Sequence, residues 1–283
     1  MLKDYLMGED EVLALSNGEV TRGETVDYET GSLVPGGQFC PEIFGMKGLQ
    51  TLSRDYKSLS GDYKYTDRFG HIRLSAPVIN PLFYSEAAET LGMREDDFCL
   101  VARYRKYVVT DPGDTGLSKN AVIGEKDVKS LLEAGRKFKY GIGAGIIKEM
   151  LEKTGNPADK NMVITCLPVL PPCVRPMYKV EGTGKYAVSD KNDLYRSVIT
   201  RNQRLAKLKV LGAPEFILRC EAEQLQEKID ALFANGLYSR PAVGSSGMPL
   251  VSIADGLEKR KNTPEDADTL LLGLCIDFGK DAA

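Results

Sequence analysis

Leu194, Val198, Leu205 and Leu208 recur at spacings that keep them near one face of an α-helix. Leu218, Ala222, Leu225, Ile229, Leu232 and Phe233 repeat the pattern a few residues later. Between the two runs stands Gly212-Ala213-Pro214. Glycine tolerates the left-handed conformation that ends a helix, and proline presets φ for the start of the next. Asn235-Gly236 closes the second run in the same way. The pattern predicts an antiparallel helical hairpin over 191–236, each arm about 30 Å long. Its polar positions hold Arg196, Arg201, Arg204, Lys207, Arg219, Glu221, Glu223 and Gln226. Such a face is either the solvated back of a hairpin packed into a core or the working surface of a projecting one. Length favours projection.

Elsewhere the periodicity is short and interrupted. Residues 1–45 are dense in turns (Asn17-Gly18, Thr30-Gly31, Pro35-Gly36-Gly37) and predict irregular structure. Over 46–69, Lys47, Arg54, Lys57, Lys64 and Arg68 alternate with Tyr56, Tyr63 and Tyr65. Cations and rings interleaved this way can track a nucleic-acid strand. Asp55, Asp62 and Asp67 dilute the charge, and a solvated hairpin is the ordinary reading. Leu100–Tyr104 and Tyr107–Val109 predict strands by their β-branched and aromatic content. Val128, Leu131, Leu132, Ile146, Ile147, Met150 and Leu151 predict helix over 126–154, broken at Gly141-Ile142-Gly143-Ala144-Gly145. No strand is predicted to lead into those glycines and the third is out of place for a dinucleotide fingerprint, so they predict a turn between helices. Residues 163–176 open as a strand and then carry four prolines, a stiff extended strap. Gly182-Thr183-Gly184-Lys185-Tyr186 follows as a flexible basic loop with an aromatic tip. The fold class this predicts is α+β: a loop-rich body with short strands, and a projecting helical hairpin.

Composition narrows the function classes. With 283 residues, 42% hydrophobic and 27% charged, the chain has the balance of a folded globular protein. No apolar run approaches the ~20 residues of a membrane helix, and the start lacks the long apolar stretch of a signal peptide. A net charge of −3 gives no whole-molecule attraction to nucleic acid. The six cysteines form no Cys-x2-Cys pair and His71 is the single histidine, so no zinc site is expected. Unpaired thiols in so large a chain fit a reducing cytoplasm.

Several ordered blocks resemble the N-terminal part of the β′ (largest) subunit of bacterial-type multisubunit DNA-dependent RNA polymerase. They are Gly18-Glu19-Val20 with Glu24-Thr25-Val26-Asp27-Tyr28, Phe39-Cys40-Pro41-Glu42-Ile43-Phe44-Gly45, and Gly70-His71-Ile72-Arg73-Leu74-Ser75-Ala76-Pro77. Further along come Leu167-Pro168-Val169-Leu170-Pro171-Pro172 with Val174-Arg175-Pro176, and Ser189-Asp190 with Asn192-Asp193-Leu194-Tyr195-Arg196. Val198-Ile199, Arg201-Asn202, Gly212-Ala213-Pro214-Glu215 and Leu225-Gln226-Glu227 complete the series. The resemblance implies a clamp core over 1–179, a lid loop over 180–190, the clamp-helix coiled coil over 191–236, and the rudder with the start of the switch region over 237–283. It implies that Lys185 and Tyr186 of the lid and Arg240 of the rudder meet nucleic acid. By position, Arg201, Arg204, Glu221 and Gln226 would face a sigma-like initiation factor.

Departures from the family shape the expectation. The zinc ribbon is degenerate, because 46–69 contains no cysteine where relatives have four. The rudder carries Leu237, Tyr238, Gly247 and Met248 where relatives are rich in arginine, and the basic switch stretch becomes Thr263-Pro264-Glu265-Asp266-Ala267-Asp268. Fewer cations release fewer counterions, so the grip on DNA should be weaker. The match ends before the family's Asn-Ala-Asp-Phe-Asp-Gly-Asp loop, so the chain binds no cofactor itself, magnesium belongs to a partner chain of the assembled enzyme, and polymerisation by this chain alone is not expected. The partners implied are the remaining β′ half, β-type subunits, a sigma-like factor, template DNA and nascent RNA. Such a split subunit resembles those of bacteriophage-encoded polymerases, which would place it in a host cytoplasm or a virion; a fragment of a longer gene is the variant reading. Two other classes stay open: a clamp mimic that sequesters a sigma-like factor, and a free-standing nucleic-acid-binding protein.

Overall fold

The structure, a computed structural model, describes residues 2–61, 68–259 and 270–277. Asp62, Tyr63, Lys64, Tyr65 and Asp67, the acidic stretch at 263–268, and Phe278 lie outside the described residues. The chain divides into two compact units. Unit I comprises Met1–Gly8, Leu74–Thr165 and Asn202–Ile229; unit II comprises Glu9–Arg73, Cys166–Arg201 and Asp230–Ala283. Strands and helices mix throughout, as the α+β expectation holds. Among the described residues no helix is long and apolar enough to cross a membrane.

Unit I is built on short helices and one small sheet. Helix α3 (Tyr84–Thr90) is followed by α4 (Glu95–Ala102), which starts on Glu95, Asp96 and Asp97, where the helix dipole favours negative charge. Phe98, Val101 and Ala102 are buried at helical spacing, and the Phe98 ring meets Tyr84 edge-on at 5.8 Å. The strand expected at Leu100–Tyr104 is therefore the end of a helix: tertiary packing of one face outweighs local β content. Strand β4 (Tyr107–Asp111) does form, at the centre of an antiparallel sheet with β5 (Val122–Ile123) and β6 (Lys139–Gly141).

The broken helix expected over 126–154 is instead helix α5 (Glu125–Glu133), strand β6 and helix α6 (Gly143–Leu151). A strand thus does lead into the glycine-rich stretch. Its glycine has a steric cause. Gly143 has φ +80°, and a Cβ there would lie 2.2 Å from the Tyr104 ring. Desolvation of that half-buried ring pushes its hydroxyl up to about 12. The close approach belongs to a tyrosine, not to a phosphate.

Unit II contains α1 (Glu9–Leu15), the short helix α2 (Pro41–Phe44), α9 (Ile253–Lys259) and a four-stranded sheet. In the sheet, β1 (Thr51–Leu52) pairs antiparallel with β2 (Leu59–Ser60) and parallel with β8 (Met177–Val180). Strand β8 pairs in turn with β9 (Tyr186–Val188). The hairpin predicted within 46–69 is present, and the parallel pairing puts it on one sheet with the 180–190 segment. Strands β3 (Gly70–Ile79) and β7 (Val163–Val169) form a separate two-stranded sheet.

The core of unit II is organised around a fully buried cation. Arg175 Nε donates to the Leu170 carbonyl at 2.6 Å, Nη1 to Asn192 Oδ1 at 2.7 Å and Nη2 to the Gln38 carbonyl at 2.6 Å. Its guanidinium lies 5.0 Å, 5.1 Å and 5.5 Å from the ring centroids of Phe39, Phe44 and Tyr195. Planar geometry and weak hydration suit arginine to such a cage. Asn192 Nδ2 donates back to the Arg175 carbonyl at 2.9 Å, and Gln38 Nε2 donates to the carbonyls of Gly23 and Asn192 at 3.0 Å. Proline makes the strap after β7 poor in N–H donors; the Tyr195 hydroxyl serves it by donating to Pro168 O and accepting from Leu170 N–H. The opening blocks, the strap and the base of the first long helix are thus one hydrogen-bonded knot.

Burial pushes the Cys166 thiol from 9.0 up to about 12 and raises the Cys275 thiol and the Tyr195 hydroxyl as well. An acid whose folded pKa is raised stabilises the fold fully below its unfolded pKa and loses that contribution as pH climbs towards the folded value. Thermal midpoints should therefore hold up to about pH 9 and fall progressively between about 9 and 12, and Cys166 and Cys275 should resist alkylation there until the protein unfolds. Rapid alkylation of either thiol in the native protein at pH 8, where exposed Cys220 reacts, contradicts this burial.

Candidate nucleic-acid and factor-docking interface

The helical hairpin forms where its periodicity predicts, as α7 (Asp190–Val210) and α8 (Glu215–Phe233), with Gly212 left-handed at the turn, φ +65°. Leu194, Val198, Leu205, Leu225, Ile229, Leu232 and Phe233 are all buried. The hairpin is not free along its whole length. Within unit I, the Ser75 N–H donates to Asn202 Oδ1 at 2.6 Å and Arg105 bridges to Glu223 at 2.7 Å. Arg219 Nη1 donates to the Tyr107 hydroxyl, and Lys209 Nζ to the Ser75 carbonyl. These contacts cover the flanks of the hairpin. The tip stays bare, with Val210, Leu211 and Phe216 exposed.

This placement revises the expected docking residues. Gln226 is 1% exposed, and its amide reads both backbone groups of one residue: it accepts from Ile79 N–H at 2.7 Å and donates to Ile79 O at 2.9 Å. It acts as a strand partner for β3 and does not face a factor. Glu221 is also buried and receives Arg204 Nε at 2.9 Å. The Arg204 side chain remains 64% exposed, so of that pair the arginine alone presents a surface. Arg201 is half-buried. Side chains at helical spacing do not announce which polar face packs against a strand from a distant segment; here a glutamine supplies the missing ladder partners. The exposed apolar tip, legible only as Val210-Leu211 beside Gly212, was not among the expected docking residues.

The 180–190 segment is a hairpin, not a floppy loop. Val180 N–H donates to Lys185 O at 2.8 Å, Thr183 Oγ1 to Val180 O at 3.0 Å and Lys185 N–H to Thr183 Oγ1 at 3.1 Å. Gly182 and Gly184, at φ +64° and +65°, supply the reversals. Lys185 is exposed on this closed turn. Tyr186 is not at the tip; it opens β9, half-buried, with its ring meeting Tyr28 at 5.8 Å and 76°. The partner Tyr28, far away in sequence, carries no signal of that meeting.

Beyond α8, residues 237–250 form a loop pinned at its base by one side chain. Asn235 Nδ2 donates to Ala242 O at 2.9 Å and Leu250 O at 2.8 Å, while its Oδ1 accepts from Ala242 N–H at 2.8 Å. Val243 and Pro249 bridge across the loop. Leu237, Val243 and Met248 are exposed, as is Arg240. The pinned loop thus offers a mainly apolar surface. Among the described residues, no group of three or more His, Cys, Asp or Glu side chains is placed to hold a metal ion.

Residues 142–261 match the family model described as RNA polymerase Rpb1, domain 1. The chain is 33% identical to the DNA-directed RNA polymerase subunit beta' of Caldanaerobacter subterraneus subsp. tengcongensis, over 98% of this chain and 28% of that subunit. It is 32% identical to the beta' subunit of Caldicellulosiruptor saccharolyticus with the same coverage, and 33% identical to that of Aliivibrio fischeri, over 98% of this chain and 24% of the subunit. It therefore spans about a quarter of the length of these relatives.

Proposed function

Since the chain belongs to the family of β′ (largest) subunits of multisubunit DNA-dependent RNA polymerase and corresponds to its N-terminal part, we propose that it works as the clamp portion of such an enzyme in DNA-templated transcription. The carrying observation is the two-helix hairpin with its covered flanks and bare tip, a rigid element that holds Arg204 and Phe216 out to a partner. In this reading the 180–190 turn is the lid, the pinned loop at 237–250 is the rudder, and the hairpin tip receives a sigma-like initiation factor. The remaining β′ length, with its magnesium-binding aspartates, and the β-type subunits complete that enzyme. Nucleotide addition belongs to that assembly and not to this chain by itself, and a cytoplasmic setting follows from it.

Copurification through a tag on this chain tests the proposal. We expect a chain bearing the Asn-Ala-Asp-Phe-Asp-Gly-Asp loop to come with it. In the reconstituted enzyme, Arg204→Gln with Phe216→Ser should weaken factor-dependent initiation about tenfold, and leave factor-independent elongation within about twofold, as loss of an exposed hot spot does. Glutamine is the right replacement because glutamate would place a second carboxylate beside buried Glu221. A chain that purifies without any such partner, or equal loss of both activities, overturns the assignment.

A further inference from the structure

Unit I holds a cavity of about 280 Å³ between the C-terminal ends of α3 and α6 and strand β4, slightly smaller than a drug-sized pocket. Two backbone irregularities meet there. The pairing of β4 with β6 passes from Val109 opposite Tyr140 to Asp111 opposite Lys139, so Thr110 is the extra residue of a bulge. A bulge re-aims the side chain it carries. Asn120 is left-handed at φ +65°, and its N–H donates to Val109 O at 2.8 Å. Bulge and reversal are thus fastened side by side, and both residues line the cavity.

The lining divides into cations and neutral acceptors. Lys119 and Lys153 are exposed, and neither is in an ion pair among the described residues. No lining residue is acidic and none is aromatic. Asn120 Nδ2 donates to Leu91 O at 2.8 Å, which fixes the orientation of the amide and leaves Oδ1 buried without a partner. Buried acceptors of that kind normally find a donor. Thr154 Oγ1 meets two acceptors, Leu151 O and Asp159 Oδ2, each at 2.7 Å. Its single proton is committed to them, so what it has left for a ligand is lone pairs. Asp159 itself is buried, and its other oxygen accepts from Asn156 Nδ2 at 3.2 Å. A ligand that satisfies this lining carries an anion for two ammonium groups and hydroxyl donors for two neutral acceptors. Inorganic phosphate supplies chiefly the first, a plain sugar only the second, and a nucleobase finds no ring to stack on.

We propose that this cleft binds the phosphate monoester of a small polyol, with the phosphate held by Lys119, Lys153 and the Thr110 hydroxyl. The polyol hydroxyls donate to Thr154 Oγ1 and to Asn120 Oδ1, the amide swinging slightly about its Leu91 anchor to meet them. The cleft lies wholly within unit I and needs no other polymerase subunit. Isothermal titration of the intact chain with glycerol 3-phosphate, glucose 6-phosphate, glucose and inorganic phosphate tests it. At least one of the two esters should bind about tenfold more tightly than inorganic phosphate, and glucose should give no measurable heat. Lys119→Gln with Lys153→Gln should weaken ester binding about tenfold and flatten its salt dependence, because exposed charges are screened by salt. Thr110→Val keeps the shape and loses the donor, and should weaken it about fivefold. Saturation with the ester should also shift the Asn120 side-chain amide signals in the proton–nitrogen correlation spectrum of nitrogen-labelled protein. Failure of both esters to bind, inorganic phosphate binding as tightly as either, or a folded lysine double variant with wild-type affinity overturns the assignment.

Discussion

Replacing Arg175 by leucine is expected to unfold unit II or leave it marginal. The substitution keeps an apolar side chain among Phe39, Phe44 and Tyr195 but strips the donors from Leu170 O, Asn192 Oδ1 and Gln38 O. A buried acceptor left without its partner costs about 1–3 kcal/mol, so three of them approach the whole stability of a typical domain, about 5–15 kcal/mol. Arg175→Lys keeps the charge but replaces a planar fork by a single ammonium group, which cannot reach three acceptors and also lie flat against three rings. It should fall between wild type and leucine. Urea denaturation followed by circular dichroism reads the series. A leucine variant with a midpoint equal to the wild type would show that the knot tolerates loss of its centre.

Gln226→Ala should cost about 2–4 kcal/mol of stability, because it leaves both the N–H and the carbonyl of Ile79 unpaired where Gln226 is buried. Gln226→Glu keeps an acceptor for the N–H but turns an oxygen towards the Ile79 carbonyl, and should be no better. Hydrogen exchange at the Ile79 amide is the specific readout, since its protection should collapse in Gln226→Ala. Arg204→Gln, a change at an exposed side chain, should leave that protection unaltered. The opposite pattern, native protection at Ile79 together with lost factor retention, would return Gln226 to the docking face.

Strong periodicity made the hairpin legible: ten apolar positions, a left-handed glycine and a following proline describe α7 and α8 almost to the residue. Short elements were legible only where packing agreed with local composition. Tyr107–Val109 has a sheet to join and became β4, whereas Val101 and Ala102 are buried with Phe98 on a helix face and did not become a strand. The Gly141–Gly145 stretch misled for a related reason. Glycine reports that something comes close, and only the structure reveals that the visitor is the Tyr104 ring. Among the candidate site residues, exposure of Lys185, Arg204 and Arg240 agrees with what polar character suggests. Burial of Glu221 and Gln226 depends on segments more than a hundred residues away or across the hairpin, and no local pattern encodes it.

Asn235 fastens the 237–250 loop entirely through main-chain groups, two carbonyls and one amide proton, which every sequence except proline at the donor position provides. Its grip is blind to the side chains it frames. Arginines can be exchanged there for methionine or valine without disturbing the scaffold, so selection is free to retune what this protrusion touches while its shape is inherited intact.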